Sequence, residues 1–217
     1  MFTDFFFPDR CLNCNTIIAA NVFVCEICIS QIKFTTDSFE SENIVKEKCK
    51  SLFPVENAFA LMEFQKEGLS RELMHNLKYK GRENIGNLFA EWTIERLHFK
   101  EKPDLIITVP LHKRKQKKRG YNQLQLYADN ISKHYAISYD KDIMRRNFHT
   151  KAQALKVFSK RVVTKNLFSL NKSISGKHVL LIDDVFTTGN TMSTMAWEIL
   201  KNKNNKISVL VMANDEG

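Results

Sequence analysis

Three short runs, LIITVP (105–110), HVLLI (178–182) and ISVLVMA (207–213), are continuously apolar instead of alternating. A strand with one wet face alternates polar and apolar residues. A continuous run rich in β-branched residues is buried on both faces, as in a parallel sheet covered by helices. AFALMEF (58–64) reads as a further strand, and a weaker one is expected near 137–144. Helical spacing of apolar positions predicts helices over 69–80, 84–98, 121–135 and 191–200, with Gly81 separating the first two. Strands alternating with helices predict an α/β domain with an open, mostly parallel sheet and helices on both sides. Such sheets bind ligands beyond the carboxyl ends of their strands. The segments after 110 and after 182 are therefore where chemistry is expected.

The first 54 residues follow another logic. Cys11-x2-Cys14 and Cys25-x2-Cys28 can each present two thiolates from one tight turn. Two such turns complete the tetrahedral sulfur shell that suits Zn2+. The alternative is a pair of disulfides, which a cytoplasmic chain rarely keeps. Four thiolates leave no position for water, so zinc here is structural, and metal binding supplies most of the folding free energy of so short a segment. Cys49 has no sequence partner and reads as an ordinary thiol. Residues 29–54 read as a helix and a polar connection, with Pro54 as the boundary. The expected organisation is a four-cysteine zinc-binding module, a small zinc ribbon with its connecting helix, over 1–54, and the α/β domain over 55–217.

A chain of 217 residues accommodates one substantial domain and a small appendage. Hydrophobic residues make up 43% of it, with only four Pro, which excludes a disordered or repetitive chain. No uninterrupted apolar stretch approaches the roughly 18 residues of a membrane helix. The opening MFTDFFFPDR also lacks a basic leader, so a cytoplasmic protein without membrane insertion is expected. The formal charge of +9 favours anionic partners, nucleic acid or phosphorylated small molecules, although a solvated Lys-rich surface gives the same total. The densest basic block is HKRKQKKRG (112–120).

The most informative stretch is VLLIDDVFTTGNTM (179–192). A loop leading into a helix amino terminus offers unpartnered N–H groups and the favourable end of the helix dipole to an anion. Along Val185, Phe186, Thr187, Thr188, Gly189, Asn190 and Thr191, the threonines add hydroxyl donors, and Gly189 lets the backbone approach a phosphate. The Gly-Lys-Ser/Thr ending of a nucleoside triphosphate loop is missing. Asp183 and Asp184 would repel phosphate but accept hydrogen bonds from vicinal hydroxyls, which together match a ribose bearing a 5-phosphate. For either acid alone, a helix cap is the alternative.

This stretch resembles the phosphoribosyl pyrophosphate (PRPP) signature of type I phosphoribosyltransferases. More narrowly, the chain resembles the ComF family of competence-associated, phosphoribosyltransferase-like proteins. The double Cys-x2-Cys start, Leu77-Lys78-Tyr79-Lys80-Gly81, Val109-Pro110-Leu111-His112, Arg119-Gly120-Tyr121-Asn122-Gln123, Thr150-x2-Gln153, Arg161-x4-Asn166 and the signature occur in family order. The resemblance implies a type I phosphoribosyltransferase-like fold that binds PRPP with Mg2+. Asp183 and Asp184 would orient the ribose hydroxyls. A pyrophosphate loop would comprise Pro110, Leu111, His112, Arg114 and Arg119, and a flexible loop would carry Thr150, Gln153 and Arg161. It also implies an association with DNA uptake and other competence proteins. The expected activity is pentosyl transfer from PRPP to an unidentified acceptor. The alternative is a non-catalytic competence factor that binds single-stranded DNA, with His112 to Arg119 tracking the phosphates and Tyr121 stacking on bases.

Overall fold

The computed structural model describes residues 8–20, 22–147 and 167–215. Thr150, Gln153 and Arg161 lie outside these residues. Five parallel strands form the central sheet: β1 (Ala58–Glu63), β2 (Leu105–Thr108), β3 (Ser138–Tyr139), β6 (His178–Phe186) and β7 (Lys206–Asn214), in the order β1-β7-β6-β2-β3. The continuous apolar runs occupy its middle: Val179 to Ile182 and Val209 to Ala213 are all fully buried. The weak strand expected near 137–144 is in fact two. β3 ends the sheet, while β4 (Met144–Arg146) pairs antiparallel with β5 (Phe168–Leu170) as a separate ribbon.

Helices α3 (Leu69–Tyr79) and α4 (Ile85–Ile94) connect β1 to β2; α5 (Lys113–Arg119) and α6 (Gln125–Tyr135) connect β2 to β3; α7 (Asn190–Leu200) connects β6 to β7. The connection from β2 runs towards the β3 edge and that from β6 towards β1. Right-handed crossovers therefore carry α6 and α7 to opposite faces. The neighbouring strands β6 and β2 thus flank a topological switch point, where their outgoing loops part and leave a crevice. Helices α4 and α6 approach closely because Gly86 has no side chain. A Cβ there would lie 3.3 Å from both Leu126 Cβ and Tyr127 N. Beside it, the hydroxyls of Thr93 and the fully buried Tyr127 satisfy each other at 2.9 Å.

The amino-terminal chain supplies two short helices, α1 (Glu26–Ile29) and α2 (Ile44–Lys50). Between them the chain lies along the β1 edge: Thr35 N donates to Leu61 O, and Glu63 N to Lys33 O. Phe34 packs edge-on against Trp92, and Phe39 against Phe99. Helix α2 is capped by Asn43, whose side chain accepts from Lys46 N and donates to Ala58 O. No helix among the described residues is long and apolar enough to cross a membrane.

Candidate active site

Strand β6 continues through both acids to Phe186, pairing Asp183 with Val211 and Val185 with Ala213 of β7. The apolar run predicts a strand ending at Ile182, but the backbone ladder extends four residues further. Because strand side chains alternate, Asp183 and Asp184 turn to opposite faces. Asp184 is buried and held by two partners: Lys78 Nζ lies 2.8 Å from Oδ1, and Gln123 Nε2 donates to Oδ2 at 2.7 Å. Gln123 is oriented in turn by Arg119, which donates to its Oε1 at 2.6 Å.

Asp183 is half-buried and borders a small cavity of about 30 Å³ formed with Val185, Phe186 and the Thr187–Thr191 turn. Its Oδ1 accepts the backbone N–H of Asp184 at 2.8 Å. Burial, and then the charge of Asp184, push its pKa up to about 8, against the opposing pull of Lys78 and Arg146. The turn closes on Gly189 at φ 70°, from which α7 starts. Thr187, Thr188 and Asn190 are exposed and Gly189 is buried. A Cβ on Gly189 would lie 2.5 Å from Leu52 Cδ1 and 2.8 Å from Phe186 Cζ, so glycine is required by packing as well as by φ. Leu52 also accepts the indole N–H of Trp197 from α7 at its carbonyl, 3.0 Å away. The segment after α2 thus buttresses the turn from behind.

The residues expected in a pyrophosphate loop separate. Pro110 and Leu111 line a cavity of about 220 Å³ between the end of β2 and the β4–β5 ribbon, to which the ribbon contributes Arg145 and Arg146 and the turn before β4 Lys141 and Asp142. His112 caps α5, its Nδ1 accepting from Arg114 N at 3.2 Å. The basic block is a helix ended by Gly120 at φ 82°, with Arg114 exposed on it. Arg119 turns towards Gln123 and the ring of Tyr79, 5.0 Å from its centroid. Lys78 and Gln123 lie inside the quoted motifs without having been assigned a role. Arg145 and Arg146 had no signal beyond being adjacent cations.

The four sulfurs of Cys11, Cys14, Cys25 and Cys28 lie within 4.8 Å of one another. Ligands about 2.3 Å from a tetrahedral metal stand about 3.8 Å apart. Cys14 and Cys25 stand at 3.6 Å. Backbone N–H of Cys25 donates to Cys11 Sγ and the Asn13 amide to Cys28 Sγ, both at 3.4 Å, as thiolate ligands require. The donor set fits a metal ion.

The model of the phosphoribosyl transferase domain matches residues 81–217, a span that holds both carboxyl-edge loops. The chain belongs to the phosphoribosyl transferase family. Its relatives include the DNA utilization protein YhgH of Escherichia coli O157:H7, 33% identical over 60% of this chain and 60% of that protein. Competence protein F of Haemophilus influenzae is 37% identical over 47% of this chain and 46% of its own length. Competence protein ComFC of Bacillus subtilis is 28% identical over 57% and 50%. The chain thus aligns with about half to three-fifths of the length of these relatives, which make it a ComF-type member of the phosphoribosyl transferase family. A purine phosphoribosyltransferase from Pyrococcus horikoshii superposes with a TM-score of 0.37 at 16% identity, over 73% of this chain and 89% of that one, too loosely to add to the argument.

Proposed function

We propose that this protein binds PRPP with Mg2+ at the carboxyl edge of its sheet and transfers ribose-5-phosphate to an acceptor during the handling of DNA in the cytoplasm. The observation that carries the reading is the placement of Asp183, a half-buried acid bordering the Thr187–Thr191 turn at the start of α7. The 5-phosphate sits on the N–H groups and hydroxyls of that turn, whose path Gly189 sets by packing against Leu52 and Phe186 at φ 70°. Asp183 accepts a ribose hydroxyl. Asp184, on the other face of β6, is held by Lys78 and Gln123 and backs the site from behind. The diphosphate extends towards Pro110, Leu111 and the cations Arg145 and Arg146.

In the reaction, the bond from the anomeric carbon to diphosphate breaks and an electron pair of the acceptor forms the new one. No nucleophile from the protein is needed. Asp183, a carboxylate oxygen donor beside the turn, would help to hold Mg2+ together with substrate oxygens, and the ion would supply positive charge for the leaving diphosphate. The four-cysteine corner takes Zn2+ as a structural ion, since four thiolates close its coordination shell.

Calorimetric titration of the zinc-loaded protein with PRPP and Mg2+ tests this reading. Saturable binding should be lost, by about 100-fold or more, in an Asp183→Asn, Asp184→Asn double variant. A folded wild type that binds no PRPP overturns it.

A second reading, a competence factor that binds single-stranded DNA without catalysis, is favoured by the exposed cations of α5 and by the DNA and competence names of the relatives. Affinity for DNA should then fall steeply with salt, whereas PRPP binding depends on it less.

A further inference from the structure

A third cavity, of about 450 Å³, opens between the end of α3, helix α5 and the turn that follows it. Its walls are Lys78, Tyr79, Lys115, Lys118, Arg119 and Tyr121: four cations, two phenols and no acid. It shares no lining residue with the cavities at Thr187–Thr191 or at Pro110–Leu111.

The composition narrows what fits. A neutral base has no use for four cations, and inorganic phosphate has no use for two aromatic walls. The volume lies within the roughly 300–1,000 Å³ of small-molecule sites. Lysine and arginine bind phosphate, and phenol faces stack on bases whatever their identity. The walls are also held in place. The Tyr121 hydroxyl donates to the carbonyl of Leu77. The Arg119 guanidinium lies over the ring of Tyr79 while bonded to Gln123. On its other flank Tyr79 meets the imidazole of His75, 5.2 Å between ring centres.

We propose that this cavity is a nucleotide site, taking a base that carries a 5′-phosphate, separate from the loop that receives the phosphate of PRPP. Lys78 is both a wall of the cavity and the ion-pair partner of Asp184. Arg119 is both a wall and, through Gln123, a support of the other Asp184 oxygen. A phosphate in the cavity therefore competes with Asp184 for Lys78 and loosens the acid. Insofar as it rests on the PRPP reading, this links nucleotide occupancy to the ribose site; the nucleotide site itself does not depend on that reading.

The test uses the full metal-loaded chain and titrates it with AMP, adenosine, inorganic phosphate, and an oligothymidylate with and without a 5′-phosphate. Wild type should bind AMP saturably and at least about tenfold more tightly than adenosine or phosphate. Tyr79→Ala and Lys118→Glu, both at exposed positions, should each weaken AMP by about tenfold, while Lys203→Glu at the opposite edge of the sheet leaves it unchanged. A 5′-phosphate-dependent oligonucleotide that binds more tightly than AMP identifies a strand end as the source, and the reverse order a free nucleotide. Equal binding of AMP and phosphate, or wild-type affinity in both cavity variants, overturns the proposal. Asp183→Asn should abolish PRPP binding and spare AMP, so that failure of the one reading is not failure of the other.

Discussion

The strand that carries the two acids and the corner that carries the four cysteines are held in place by different physics. Around Asp183 and Asp184, β6 and β7 are almost wholly buried, and the ladder between them runs the full length of both strands. In the corner, Ile17, Val22 and Ile27 are exposed, while two of the few buried residues, Cys11 and Cys28, belong to the four-cysteine cluster that could hold a metal ion. Burial of apolar surface, at about 25 cal/mol per Å², gives the sheet enough stability to keep an acid in an unfavourable place. On the proposed reading, the corner gains its order from a bound metal ion.

Removing the metal should show the largest difference between the two. Structural zinc contributes on the order of 10 kcal/mol to small modules of this kind. Chelation of the full chain should therefore abolish exchange protection at the amides of Leu12, Asn15, Ile18 and Cys28, which donate only within the corner. The amides of Leu181, Val209 and Val211 should keep theirs. Equal loss at both sets of amides would mean that the corner and the sheet unfold together, and the comparison would break.

Gly189→Ala comes next in size, because it strains the sheet-borne site directly. The substitution combines a left-handed residue with a Cβ only 2.5 Å from Leu52 Cδ1. A loss of about 2–3 kcal/mol is expected in denaturant unfolding. In a Leu52→Ala background the increment should shrink by about 1 kcal/mol, the left-handed φ and the 2.8 Å approach to Phe186 Cζ remaining. An unchanged increment would show that Leu52 does not buttress the turn.

The two regions were also legible in the sequence to different degrees. The central strands could be read from LIITVP, HVLLI and ISVLVMA because burial on both faces leaves a local signature. The phosphate turn was legible because its glycine, threonines and acids are contiguous. What escaped was non-local. Nothing in HVLLI shows that the ladder continues to Phe186, since that depends on pairing with Asn214 across the sheet. The pairing of Lys78 with Asp184 spans 106 positions, and that of Gln123 with Asp184 spans 61. The basic block reads as a loop when its charges are counted. It becomes a helix because His112 caps it and Gly120 ends it.

The smallest effect sharpens the claim that the sheet tolerates a misplaced acid. Asp183 in the folded chain titrates at about 8, whereas an unfolded aspartate titrates near about 3.9. Below both values each state holds the proton, and folding carries no ionisation cost. As pH rises, the unfolded chain releases its proton first, so stability falls until the folded carboxyl also ionises near 8. An asparagine at this position cannot ionise and escapes the loss. Solvent screens a half-buried carboxyl and leaves only a small part of this linkage, so Asp183→Asn should melt close to wild type at about pH 4 and above it at about pH 8.5, by about 1 kcal/mol or about 2–4 °C. If wild type instead gains on the variant as pH rises, Arg146 and Lys78 stabilise the Asp183 anion more than burial and Asp184 penalise it. The acid would then be a stabilising element of the sheet, and the contrast with the cysteine corner would narrow to the metal alone.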